Sequence, residues 1–106
     1  ILAATFPPGS VTGAPKLAAL EVIRALEHGA RGPYCGAFGW VDADTRTAEL
    51  AVSIRTFWFE TAPGGRVLAF GTGAGITWDS DPQAEWRETE LKADRLLRVA
   101  GELEVS

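Results

Sequence analysis

Methionine is absent from this chain, and cysteine and histidine occur once each. A chain without methionine does not begin at a translation start. It opens on the apolar Ile1-Leu2-Ala3, so the sequence is expected to be a piece of a larger protein with an incomplete core. Cys35 alone cannot close an internal disulfide, which fits a reducing cytoplasm. His28, close to an expected helix C-terminus, is too isolated to build Ser-His-Asp or Cys-His machinery, and both residues read as structural. No apolar run approaches the roughly 18 residues that suggest a membrane span, and no signal-peptide pattern is present. Basic residues are the minority, 10 Lys and Arg against 14 Asp and Glu, for a net charge of −4. That balance leaves no basic footprint for nucleic acid.

What remains is an ordinary globular composition, 46% hydrophobic and 23% charged, which argues against disorder. The run FPPGSVTGAPK at Phe6–Lys16 is the densest local signal. Pro15 suits a first helical turn, since its φ is already helical and its missing N–H would have no partner there. Gly9 and Gly13 permit close approach to the main chain. Ser10 or Thr12 can cap the helix that follows. Such a helix entrance, with spare N–H donors and a nearby lysine, is equally a capped helix start or an anion site.

The rest of the chain predicts an α+β fold: an antiparallel three-stranded meander flanked by two helices. Lys16–Glu27 reads as a helix whose apolar residues spread around most of its circumference, with Gly29 as its stop. Tyr34–Asp42, Glu49–Phe59 and Val67–Gly75 read as strands, joined by turns at Asp42–Arg46 and Ala62–Gly65. Asp79-Ser80-Asp81-Pro82 precedes a final helix to about Ala100. No repeats or linkers appear, and residues 1–106 read as a single, incomplete domain.

Three groups of residues carry possible chemistry. On the final helix, Glu85, Glu88, Lys92, Leu96, Val99 and Leu103 share one stripe at about 100° per residue. Its apolar half should face a core, so the charged half should point inward as well. Charges there need a partner. A Glu88–Lys92 pair at i,i+4 meets part of that need, and Glu85 with Glu88 at i,i+3 also suits a hard divalent cation such as Mg2+. Arg55, in the middle of a strand, is either a solvent-facing side chain or a bidentate clamp for a carboxylate. The run Gly71-Thr72-Gly73-Ala74-Gly75 lacks the third glycine and immediate helix of a dinucleotide site. It fits bare backbone N–H groups meeting a carboxylate. The Phe6–Lys16 run likewise fails the phosphate-loop spacing.

FPPGSVTGAPK, RGPYCGAFGW, AVSIRT and GTGAGITWDSDPQAEWRETELKA, in this order, resemble the C-terminal part of the chorismate-utilising enzymes. The resemblance covers nearly all of Phe6–Leu97. Within that family, GITWDSDP and RGPYCGAFGW look most similar to the aminodeoxychorismate synthase component I branch. The resemblance implies that the full protein aminates chorismate to 4-amino-4-deoxychorismate for folate synthesis. The alternatives are an anthranilate synthase component I, with amination at C2 and pyruvate elimination, and a non-catalytic scaffold module.

By the same resemblance, Thr12, Tyr34, Arg55, Gly73, Ala74 and Gly75 bind substrate. Glu85 and Glu88 are Mg2+ ligands, and Lys92 is the lysine that accompanies them at the catalytic site. The implied partners are chorismate and a glutamine amidotransferase that supplies ammonia. The family's complete fold is about four times this length, with further site residues before Ile1. The isolated chain is therefore expected to bind chorismate weakly, to be inactive alone and to self-associate through exposed strand edges.

Overall fold

The computed structural model describes residues 2–102. The chain divides into two compact units, residues 1–70 and 71–106. The first contains α1 (Leu2–Thr5), α2 (Gly9–Thr12), α3 (Lys16–Leu26), β1 (Ala37–Asp42), β2 (Thr47–Val52), β3 (Phe57–Ala62) and β4 (Gly65–Phe70). The second contains α4 (Pro82–Glu102). The α+β class and antiparallel pairing match expectation. The strand plan differs, because four strands form two separate hairpins, β1-β2 and β3-β4, instead of a three-stranded meander.

The reason lies within the expected long strand Glu49–Phe59. Arg55 sits at φ 53°, in the left-handed region that breaks a strand. Beside it the Ile54 amide turns back to the Val52 carbonyl at 2.8 Å, and the Thr56 hydroxyl donates to the Ile54 carbonyl at 2.9 Å. The chain therefore kinks over residues 53–56, dividing β2 from β3. The third expected strand also ends early, at Phe70, and residues 71–77 are irregular.

In the first hairpin Ala37 lies opposite Val52 and Asp42 opposite Thr47. Asp42 Oδ1 accepts the amides of Asp44 and Thr45 at 2.9 and 3.2 Å, fixing the turn. Gly39 is required by its neighbour: a Cβ there would lie 2.0 Å from the Glu49 carbonyl oxygen. Beyond the ladder, the Cys35 amide donates to the Ser53 carbonyl and the Ser53 amide to that of Gly36, both at 2.9 Å. These bonds anchor the Tyr34-Cys35 turn to the start of the kink. In the second hairpin Phe57 and Phe70 pair with ring centroids 4.8 Å apart, an aromatic cross-strand contact of the stabilising kind.

The helix ends depart from the sequence reading in three places. Ser10 and Thr12 belong to the short α2, and α3 begins after Pro15 with no side-chain cap. Thr12 instead donates its hydroxyl to the Pro8 carbonyl at 3.0 Å. The helix α3 ends at Leu26 with Glu27 in extended backbone, before Gly29 is reached. By contrast, the start of α4 is as expected. The Asp81 carboxylate accepts the Ala84 amide at 2.8 Å, and Pro82 opens the helix.

Burial is sparse. Among the described residues only Cys35, Ser53 and Ala93 are buried. On α3, Lys16, Ala19, Leu20 and Ile23 form a half-buried stripe, whereas Leu17 is 77% and Leu26 73% exposed. Among the described residues the apolar coat of α3 thus has a partner on one face only.

Candidate functional site

The first unit carries an open cavity of about 580 Å3 whose walls include Thr12, Ile23, Arg31, Tyr34 and Cys35. Two of the expected substrate residues, Thr12 and Tyr34, therefore share one cavity. Tyr34 reaches it from consecutive turns, in which its own amide donates to the Arg31 carbonyl and that of Gly36 to the Pro33 carbonyl. Cys35, the third residue of the second turn, has φ 66° and is 2% exposed. Burial raises the Tyr34 phenol above its ordinary value, and the neighbouring Cys35 adds to the effect. Tyr34 is thus a neutral hydroxyl donor at physiological pH.

The organising group of this cavity is Arg31, which is not among the candidate site residues read from the sequence. Arg31 Nε donates to both Glu27 carboxylate oxygens at 3.2 and 3.0 Å, and Nη2 donates to Oε1 at 2.6 Å. Its Nη1 reaches the Val11 carbonyl at 3.3 Å and Cys35 Sγ at 3.7 Å. The guanidinium also lies 5.7 Å from the Tyr34 ring centroid, within cation–π range. The Arg31 hydrogen bond holds the Glu27 carboxyl below its ordinary value, and Glu27 raises the arginine in return. The Glu27–Arg31 spacing of four was the available signal, spanning a helix end where i,i+4 pairs are not usually sought.

Arg55 is exposed at the kink and is not part of that cavity wall. Among the described residues its guanidinium has no hydrogen bond or ion pair, which leaves both edges free.

In the second unit the irregular segment carrying Gly73, Ala74 and Gly75 is tied to α4. Lys92 Nζ donates to the Gly73 carbonyl at 3.3 Å and pairs with Glu88 Oε1 at 2.5 Å. The Thr72 hydroxyl donates to the Thr89 carbonyl at 3.4 Å. The charged stripe is not the covered one. The less exposed positions of α4 are Glu85, Thr89, Ala93, Leu96 and Ala100, whereas Glu88, Lys92 and Val99 are exposed. Leu103, expected on the stripe, lies outside the described residues. The correction is a rotation of the buried face, which keeps Glu85 and replaces Glu88 and Lys92 with Thr89 and Ala93.

Among the described residues no three acidic, histidine or cysteine side chains cluster as a complete metal cage. Glu85 and Glu88 supply two carboxylates one turn apart. That donor set suits Mg2+, which is usually held by one or two carboxylates and otherwise by water and substrate oxygens. The two residues fit the ion as a partial site.

Comparison with known proteins defines the class. Residues 1–98 match the family described as chorismate binding enzyme, and the chain belongs to this family. It is 45% identical to anthranilate synthase component 1 of Saccharolobus solfataricus over 101 residues, covering 95% of this chain and 23% of that protein. It is 46% identical to the protein of that name in Synechocystis, covering 93% of this chain and 20% of the relative. The Archaeoglobus fulgidus protein of the same name is 46% identical, with 92% and 22% covered. The chain thus spans about a fifth of the length of the curated relatives it matches. No solved structure matches the chain significantly.

These relatives overturn the expectation of an aminodeoxychorismate synthase. Identity over the whole chain favours the anthranilate alternative.

Proposed function

We propose that this chain supplies part of the chorismate site of an anthranilate synthase component I. The observation that carries the reading is about 45% identity across 95% of the chain to anthranilate synthase component 1. Tyr34, Arg55, the Gly73–Gly75 run, Glu85 and Glu88 are present together in this chain. In the proposed reaction ammonia adds at ring C2 of chorismate, the C4 hydroxyl leaves as water, and the enolpyruvyl group leaves as pyruvate. One chorismate and one ammonia then account for one anthranilate, one pyruvate and one water. A glutamine amidotransferase partner is the proposed ammonia source.

The residues suit a substrate with two carboxylates. Arg55 has an unengaged guanidinium whose planar fork can donate two parallel hydrogen bonds to one carboxylate. Tyr34, kept neutral, is a hydroxyl donor from the wall of the first unit's cavity. In the second unit the backbone N–H groups of Gly73, Ala74 and Gly75 lie in a segment that no strand ladder uses, and such groups suit a carboxylate. Thr12 shares the cavity with Tyr34, although its hydroxyl proton is committed to Pro8, leaving the oxygen as an acceptor.

Glu85 and Glu88 are the residues that would hold Mg2+, whose charge would neutralise a chorismate carboxylate and polarise the adjoining bonds when bound. Lys92 holds the Glu88 carboxylate and the Gly73 carbonyl together. Its proposed catalytic contribution is to keep the metal carboxylate and the glycine run in a fixed relation.

The test is Glu88→Gln in a synthase polypeptide carrying this segment, assayed with chorismate, ammonium and Mg2+. Loss of about 100-fold or more in kcat/KM, the usual scale for a lost catalytic electrostatic contact, is expected. Unchanged Mg2+-dependent turnover would remove Glu88 from the site and support a scaffold role.

A further inference from the structure

We infer that Arg31 is a positioning residue for the substrate phenol donor Tyr34, an inference that rests on the proposed chorismate site. Arg31 lies where four parts of the first unit meet. It grips the Glu27 carboxylate after α3, the Val11 carbonyl of α2 and the Cys35 thiol, and it lies against the Tyr34 ring. Those contacts use Nε, Nη1 and Nη2, so the guanidinium has a defined plane. A guanidinium oriented in this way can hold an aromatic ring in one orientation, which a mobile ammonium cannot do.

The arrangement has little value as a stability device. The Glu27 and Arg31 side chains are 40% and 25% exposed, and such partly solvated pairs contribute little to folding. Its geometric consequence is larger. The turn from Arg31 to Gly36 has only local backbone bonds until Cys35 meets Ser53. Arg31 adds the links from this turn to α2, which carries Thr12, and to the end of α3. The two substrate-facing groups of the cavity, Thr12 and Tyr34, are thereby referred to one side chain. Arg31 itself is occupied by protein partners, which separates its role from that of Arg55.

The experiment is a double-mutant cycle in a synthase polypeptide carrying this segment, reading KM for chorismate, kcat and thermal melting. Tyr34→Phe removes the hydroxyl and keeps the ring, and it should raise KM about tenfold. Arg31→Ala should raise KM by a similar factor with kcat changed less than about threefold. In the Tyr34→Phe background, Arg31→Ala should add less than about twofold, because its effect passes through the hydroxyl already removed. Arg31→Lys should fall between wild type and Arg31→Ala. Should Arg31→Ala fail to fold, the same cycle with Arg31→Lys carries the test.

Unchanged KM in Tyr34→Phe would overturn the site reading and the inference with it. A raised KM in Tyr34→Phe, with no effect of Arg31→Ala or an independent multiplicative effect in the double mutant, would overturn the positioning role alone.

Discussion

Arg55 occupies a backbone conformation that arginine seldom adopts, with φ at 53° between β2 and β3. Left-handed backbone costs a residue with a Cβ about 1 kcal/mol. A residue that bears this cost with an unengaged, exposed side chain is a candidate for function over stability. Replacement by glycine relieves the backbone and removes the clamp. Arg55→Gly should leave folding stability within about 1 kcal/mol of wild type, measured by urea denaturation. The same change should lower kcat/KM for chorismate by about 10- to 100-fold, the range for a lost charged hydrogen bond. Glu27 gives a prediction in pH. Its carboxyl is held below the ordinary value by Arg31, so its contribution is present above the unfolded pKa, about 4.3. That contribution is lost as pH falls through the lower folded value. Glu27→Gln should therefore flatten the acid limb of a stability-versus-pH curve below about pH 5 by a few tenths of a kcal/mol, and leave the limb above pH 6 parallel to wild type.

Two elements, the β1-β2 hairpin and α4, each have one close contact open to a single substitution. Gly39→Ala would force a Cβ onto the Glu49 carbonyl at 2.0 Å. The β1-β2 hairpin must then shift, at a cost of about 1–3 kcal/mol for overpacking, visible as a lowered thermal midpoint. Asp81→Ala removes the acceptor for the Ala84 amide and should cost about 1 kcal/mol, read by circular dichroism of α4. Legibility also divides at this scale. The final helix, with Asp81 as cap and Pro82 first, was plain in the sequence because local chemistry determines it. Both hairpin turns were plain for the same reason. The kink at Arg55 was not, because alternation from Leu50 to Phe57 continues straight through it and periodicity reports side-chain type, not φ. The site followed the same division. Helical spacing singles out Glu85 and Glu88, and Tyr34 and Arg55 rest on the family resemblance. Arg31 has little local signature because its partners come from three separated segments. The covered face of α4 was misplaced because Leu96 is followed by Ala100 and not Val99 on the half-buried side.

The whole molecule is under-covered for its composition. Three residues are buried among those described, and Trp78, Leu17, Ile76, Leu91 and Phe38 are each more than 70% exposed. Apolar surface of that extent is a contact surface in waiting, and two hairpins present open edges. The isolated 106-residue chain should therefore self-associate. Light scattering should give an apparent mass above 11.3 kDa that grows with concentration, whereas a constant monomer mass would show that the exposed surface is tolerated. No helix among the described residues is long and apolar enough to cross a membrane. Product identity separates the proposed anthranilate reaction from the other outcomes of chorismate chemistry. A synthase polypeptide carrying this segment, given chorismate, ammonium and Mg2+, should release anthranilate and pyruvate in equal amounts, identified by mass spectrometry. Accumulation of 4-amino-4-deoxychorismate or isochorismate without pyruvate would exclude anthranilate synthesis.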